Sequence, residues 1–141
     1  MANEATVTSI LSVFNTTTKI QFTSAPGSFK ADVTASFGPA PGAMTATVAG
    51  ADVDLSMFTQ PSLCRIMNLD TANYVTIGIW DGTTLFPLHE LLAGESYVFR
   101  IPRAYDEERG TGTGTITSDI NTIRAKADTA ACAIVFEAFE V

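Results

Sequence analysis

Short alternating segments separated by turn-forming residues run from Leu63 to Arg103, and they constrain the fold more than any other part of the chain. Apolar residues recur at every second position in 74–80 and in 97–101, which is the period of a strand with one buried face. Asp81-Gly82 lies between two such segments and predicts a hairpin with a type I′ turn. Gly78 inside a strand predicts a bulge or a close approach of another backbone. The segment therefore predicts a rigid antiparallel β-domain, and it contains no recognisable catalytic motif.

The same alternation extends to both sides of this segment. Residues 28–37 predict a half-buried strand, and 44–48 predict a second one. We expect the proline- and glycine-rich residues 38–42 to interrupt the chain between them. The nearly continuous apolar segment 130–141 predicts a central strand that is covered on both faces. Residues 116–123 fit either a weak strand or a short turn of helix.

The N-terminal residues fit two kinds of element. Val7, Leu11 and Val13 suit a strand. The set Val7, Ile10, Leu11 and Phe14 instead suits the apolar side of an amphipathic helix. The abundance of Thr and Val favours the strand, because β-branched side chains pack well on a pleated surface.

Taken together, some eight to ten short strands punctuated by glycine and proline predict an all-β fold. We expect an antiparallel β-sandwich or a jelly-roll-like barrel. The 141 residues suit one domain over 1–141, with an extended N-terminal segment 1–15 and a mobile polar loop at 104–115.

Charge narrows the range of partners. The chain has 15 acidic and 8 basic residues, a net charge of −7, and no cluster of Lys and Arg. Binding to nucleic acid or to an anionic membrane surface needs local positive charge, so we expect neither partner. Charged residues make up only 16% of the chain, and a small β-domain with so few charges often covers part of its surface with other proteins. No secretory signal is apparent, and we expect a soluble chain made in a cytoplasm.

Few residues suggest reaction chemistry or metal binding. Cys64 and Cys132 lie in apolar runs without metal-binding spacing, which favours buried free thiols, although the sequence leaves a disulfide open. His89, between leucines, suits a structural role better than catalysis. Asp52 and Asp54 share one strand face but offer too few oxygens for Ca²⁺. We therefore expect no enzyme activity, no cofactor and no metal.

Two groups of residues are candidates for interaction. Tyr74 and Trp80 lie on the same face of one predicted strand and would stack on a carbohydrate if that face were exposed. Alternatively, Trp80 anchors the core. The second group lies in the polar loop and comprises Tyr105, Asp106, Glu107, Glu108 and Arg109.

Two motif groups carry a resemblance to a known class. The first is an N-L-D-x-x-N-Y-V-x-I-G strand pair followed by a G-E-S turn and an R-I-P strand, and the second is K-A-D-T-A before a final strand. The matching residues are Asn68, Leu69, Asp70, Asn73, Tyr74, Val75, Ile77, Gly78, Gly94, Glu95, Arg100, Lys126, Ala127, Asp128, Thr129 and Ala130. With these motifs the chain resembles small virion structural proteins of tailed bacteriophages.

That resemblance implies a capsid decoration (cement) protein in the virion, assembled in the host cytoplasm. Its partners would be the major capsid protein or other virion proteins, and a homotrimer would be the natural assembly. A tail, head–tail connector or fibre component is the alternative, and a carbohydrate-binding module is a further one.

Overall fold

The computed structural model describes residues 4–33, 39–58, 61–101 and 122–140. The chain divides into two compact units, 1–34 and 35–141. We call the described part of the first unit the arm and that of the second unit the sandwich. Every regular element in the described residues is a β-strand, so the predicted all-β fold is confirmed. These residues form twelve strands, more than the eight to ten expected.

The arm is one long β-hairpin. Its strands are β1 (Glu4–Ser9), β2 (Ser12–Asn15), β3 (Ile20–Thr23) and β4 (Gly27–Asp32). Strand β1 pairs with β4 and β2 pairs with β3, both antiparallel. The Ser24 amide donates to the Leu11 carbonyl at 2.8 Å, and the Leu11 amide donates to Ser24 Oγ at 2.9 Å, which joins the two ladders. The N-terminal residues are therefore strands, as their Thr and Val content favoured.

The sandwich contains eight strands in two four-stranded antiparallel sheets. They are β5 (Ala40–Ala46), β6 (Ala51–Asp52), β7 (Leu63–Asn68), β8 (Val75–Trp80), β9 (Leu85–Leu91), β10 (Ser96–Arg100), β11 (Thr122–Ala127) and β12 (Cys132–Phe139). One sheet has the order β5-β12-β7-β10 and the other β6-β11-β8-β9. Counted from one to eight along the chain, these orders are 1-8-3-6 and 2-7-4-5, which is the strand order of an eight-stranded jelly roll.

The core lies between these two sheets and follows the period of two. Strand β12 shows it most clearly, because Cys132, Ile134, Phe136 and Ala138 are fully buried. The residues between them are intermediate or exposed. The predicted central position of β12 is confirmed, since it pairs with β5 on one side and β7 on the other. The expected coverage of both faces is wrong, because each sheet of a sandwich packs on the core with one face only.

Two other strand predictions need correction. Strand β5 begins at Ala40, inside the expected interruption at 38–42, and it accommodates Pro41 because it is an edge strand of its sheet. The strand at 28–37 is observed as β4, but Phe29 is 47% exposed because β4 belongs to the arm and not to the sandwich core. Residues 34–37 of that prediction lie outside the described residues.

The turn after β8 is a hairpin, as predicted, but of another type. Only Gly82 of the Asp81-Gly82 pair has a positive φ, of 94°, whereas a type I′ turn needs one at both positions. The Asp81 carboxylate instead accepts hydrogen bonds from the Thr83 and Thr84 amides, at 2.8 and 2.6 Å. Side-chain capping by Asp81 therefore closes a wider connection between Trp80 and Leu85, which are paired.

Gly78 allows β9 to approach β8 closely, as the sequence predicted. The β8–β9 register shifts between Ile77 and Gly78, which marks a bulge. A Cβ atom at Gly78 would lie 2.4 Å from the Phe86 carbonyl oxygen and 2.9 Å from Leu85 Cδ1. Only glycine fits this position without displacing the β9 backbone.

Candidate interaction surfaces

Asn68 fixes the position of β9 and of the turn at 68–73. Its side chain is buried, and Nδ2 donates to the carbonyls of Asn73 at 2.9 Å and of Leu91 and Leu92 at 3.2 Å. Its Oδ1 accepts from the Asp70 amide at 3.0 Å. The Asp70 carboxylate in turn accepts from the backbone of Ala72 and Asn73, which holds the pKa of that carboxyl below its usual value.

Residues 88–90 of β9, which we call the β9 ridge, separate two open grooves. One groove, of about 530 Å³, lies between the ridge and the start of β8 and includes Tyr74, Lys126 and Asp128. The other, of about 470 Å³, lies between the ridge and the start of β10 and includes Glu95 and Tyr97. The ridge is therefore accessible from both sides.

His89 is the centre of an aromatic cluster at this side of the sandwich. Its ring centroid lies 4.2 Å from that of Tyr97 and 5.3 Å from that of Phe99, and Phe99 meets Phe136 of the core edge-on at 6.0 Å. Burial lowers the pKa of the His89 imidazole. The His89 ring thus packs against β10, the edge strand of the other sheet.

Large apolar side chains are exposed along β9 and β10, which are edge strands of different sheets, and in the turn between them. We call this set the β9–β10 surface, and its members are Phe86, Leu88, Leu92, Tyr97 and Val98. Phe86 is 52% exposed although it is paired with Ile79, whose side chain packs against the core. An apolar group of this size at one side of a domain is typical of an interaction site.

Tyr74 and Trp80 lie at opposite ends of the outer face of β8. Six residues of strand separate them by roughly 20 Å, so a single sugar ring does not span both. Tyr74 borders the larger groove, whereas the Trp80 ring is covered by the Arg124 guanidinium at 4.1 Å from its centroid. The other candidates, Tyr105, Asp106, Glu107, Glu108 and Arg109, lie outside the described residues.

The carboxylates of Asp52 and Asp54 have separate partners. Asp52 accepts from Arg124 Nε at 2.5 Å, and this hydrogen bond holds the pKa of the Asp52 carboxyl below its usual value. Asp54 accepts from the Ser56 hydroxyl at 2.6 Å and from the Ser56 amide at 3.0 Å. In the described part of the chain, no three side chains of His, Cys, Asp or Glu cluster as they would around a metal ion.

Cys64 and Cys132 are both buried, and neither forms a disulfide, which confirms the prediction of free thiols. Burial raises the pKa of the Cys64 thiol to about 12. Burial, together with the negative charges of Asp70 and Asp128, also raises the pKa of Cys132. Both thiols therefore stay protonated and act as small apolar side chains.

The arm has an apolar face and a polar face along its base. Register places Val7 opposite Phe29 and Ala5 opposite Ala31 on one face. The other face contains Thr6 and Thr8 and the ion pair between Lys30 Nζ and Glu4 Oε1 at 2.7 Å.

The tip of the arm has large apolar side chains on both faces. Val13 is paired with Phe22 on one face, and Phe14 is paired with Gln21 on the other. Phe14 is 70% exposed and Phe22 is 51% exposed, and Ile10 and Leu11 beside them are more than half exposed. These side chains form a largely uncovered apolar surface. The sequence signal for this surface was the adjacent pair Val13 and Phe14, since a strand with one apolar face does not place apolar residues at neighbouring positions.

Comparison with protein-family models, curated proteins and solved structures gave no match. Within the described residues, no helix has the length and apolar character needed to cross a membrane.

Proposed function

We propose that the chain is a structural protein of a bacteriophage virion, and most simply a capsid decoration protein that binds between subunits of the shell. The observation that carries this proposal is the arm, a hairpin whose large side chains are apolar and exposed. A two-stranded hairpin is at best marginally stable in water, and exposed apolar surface of this extent usually meets another protein.

Two further observations support the proposal. The strand order of the sandwich is that of a jelly roll, an architecture common in viral capsid proteins, although it also occurs in lectins and enzymes. The turn motifs around Asn68 and Gly94 resemble those of phage virion proteins. Both motifs form turns here, with Gly94 at a φ of 78° and the Leu92 amide donating to Glu95 at 2.8 Å.

The mechanism would be stabilisation by binding. A protein that binds the assembled shell and not its free subunits stabilises the shell by about 2.7 kcal/mol per site at a concentration of 100 times its Kd. Each unit of the chain exposes large apolar side chains, in the arm and on the β9–β10 surface, so one copy has more than one set of apolar side chains for contact with other proteins. Bridging of neighbours in this way is what a cement protein does.

Copy number in the particle tests the proposal. Virions of the phage that encodes the chain are purified, and the chain is quantified against the major capsid protein by mass spectrometry with isotope-labelled peptides. We expect hundreds of copies per particle. A dozen copies or fewer would assign the chain to the tail or the head–tail connector, and absence from the virion would refute a structural role altogether.

A carbohydrate-binding role has one observation in its favour. Tyr74 borders a groove that also contains Lys126, Glu90 and Asp128, so an aromatic ring and several polar groups converge there. A glycan array with wild-type protein and Tyr74→Ala tests this role, with Trp80→Ala as the matched control. Binding lost only in Tyr74→Ala supports it, whereas an array without any binding excludes it for the glycans displayed.

A further inference from the structure

We propose that the arm joins copies of this chain into a homo-oligomer, in which the apolar faces of each arm are covered by the arms of neighbouring copies. This inference deepens the assembly role proposed above and identifies the occupant of the arm's surface as a second copy of the chain.

The exposed area of the arm is sufficient for a stable interface. At about 200 Å² per ring, the exposed parts of Phe14, Phe22 and Phe29 amount to on the order of 300 Å². Ile10, Leu11 and Val13 are each more than 40% exposed and bring the sum to roughly 600 Å² per arm. A standard interface buries about 800 Å² per partner, so the contacts on the two faces of an arm together approach the area of one standard interface.

Charge favours self-association through the arm and not through the sandwich. Residues 1–34 contain two acids, Glu4 and Asp32, and two bases, Lys19 and Lys30, so their net charge is zero. The net charge of −7 therefore resides entirely in residues 35–141. Sandwiches of different copies repel one another weakly, whereas neutral arms meet without that cost.

The two-sided tip favours more than two copies. A symmetric face-to-face pair would cover Val13 and Phe22, or Phe14, but not both faces at once. A ring of three or more arms places each arm between two neighbours and covers both faces. Cyclic closure of this kind is a common symmetry of homo-oligomers.

The edge strands also indicate that copies associate through the arm and not through the sandwich. In the sandwich, edge strand β5 contains Pro41, and edge strand β9 contains Pro87 beside a bulge, which are devices that prevent pairing with another chain. Strands β1 to β4 of the arm contain no proline, and each belongs to a sheet of two strands among the described residues. The arm thus lacks the protection against association that edge strands β5 and β9 of the sandwich have.

The test measures the mass of the full-length chain by light scattering after size exclusion, from about 1 to 200 μM. We expect wild type at a multiple of 14.9 kDa, three or more. The variant Phe14→Ser/Phe22→Ser should shift to 14.9 kDa, with a dissociation constant at least about 100-fold higher, because each buried ring contributes a factor of ten or more. Phe86→Ser is the matched control, since Phe86 is as exposed as Phe22 but belongs to the sandwich.

Two results would overturn the inference. A wild-type mass of 14.9 kDa over the whole concentration range refutes self-association. If the arm were then protected only on the particle, its partner would be a different virion protein. Dissociation by Phe86→Ser and not by the double variant would place the contact on the sandwich. An oligomer that depends on the arm but is missing from virions supports this inference while refuting the proposed function, so the two failures are distinguishable. Urea unfolding followed by Trp80 fluorescence confirms that the variants keep the fold of the sandwich.

Discussion

Replacement of Asn68 by alanine should destabilise the sandwich more than any other polar substitution in its turns. The side chain is 1% exposed and bonds to the carbonyls of Asn73, Leu91 and Leu92 and to the Asp70 amide. These bonds connect β7, the turn before β8 and the end of β9. Asn68→Ala removes all of them and leaves the Leu91 carbonyl buried without that donor.

The size of the effect follows from the number of bonds. The two Nδ2 protons can serve two of the three carbonyls well at one time, and Oδ1 accepts one further bond. At about 0.5–1.5 kcal/mol for each net hydrogen bond, with a further penalty for the buried carbonyl, Asn68→Ala should lower the free energy of unfolding by about 2–4 kcal/mol. For a chain of this size the Tm should fall by roughly 10 °C.

Asn73→Ala is the control, because Asn73 belongs to the same network but is only partly buried. Its side chain accepts from Thr129 Oγ1 at 2.8 Å and donates to Asp70 at 3.3 Å. We expect a loss of about 1 kcal/mol or less. Both variants are measured by urea unfolding with Trp80 fluorescence and circular dichroism. If Asn68→Ala cost no more than Asn73→Ala, the buried network would not be what positions β9.

Three further outcomes are expected from the sandwich. Gly78→Ala should lower stability by about 1–3 kcal/mol in the same assay, because its Cβ would meet the β9 backbone; an unchanged midpoint would contradict the close approach at the bulge. The pKa of the Asp70 carboxyl is lowered in the folded chain, so this group contributes stability above its unfolded pKa near 3.9 and loses that contribution as the pH falls through its folded pKa. Asp70→Asn should therefore destabilise the chain at pH 7 and approach the stability of wild type below about pH 4. A difference in stability that stays constant with pH would exclude this linkage. Cys64 and Cys132 should not react with a thiol reagent at pH 8 until urea unfolds the chain, whereas rapid labelling of the native protein would show that the thiols are accessible.

Much of the sandwich could be predicted from the sequence, because its strands alternate strictly and its turns contain residues with a direct physical role. Gly78, Gly94 and the Asn68 turn are such cases, since a close contact, a positive φ or a side-chain cap requires each of them. Strand β11 was missed although Ile123, Ala125 and Ala127 are buried at every second position, because alanine gives a weak apolar signal.

The arm could not be separated from the core by periodicity. Apolar residues at every second position show which side chains share a face, but not whether another sheet covers that face. Phe29 therefore predicted a half-buried strand, and only the tertiary structure shows that this side chain is exposed. The β9–β10 surface has the same origin, because Phe86 and Tyr97 share strand faces with buried residues and are exposed through their positions at the edges of the sheets.

Hydrogen exchange of the arm tests most directly whether another protein covers it. Backbone amides in 4–33 are measured by mass spectrometry in the dilute chain, at a concentration where light scattering shows a monomer, and in purified virions, with 63–68 and 132–139 of the sandwich as internal reference. We expect rapid exchange of the arm in the dilute chain, strong protection in the virion, and slow exchange of the reference strands in both. Equally rapid exchange of the arm in both samples would contradict this expectation.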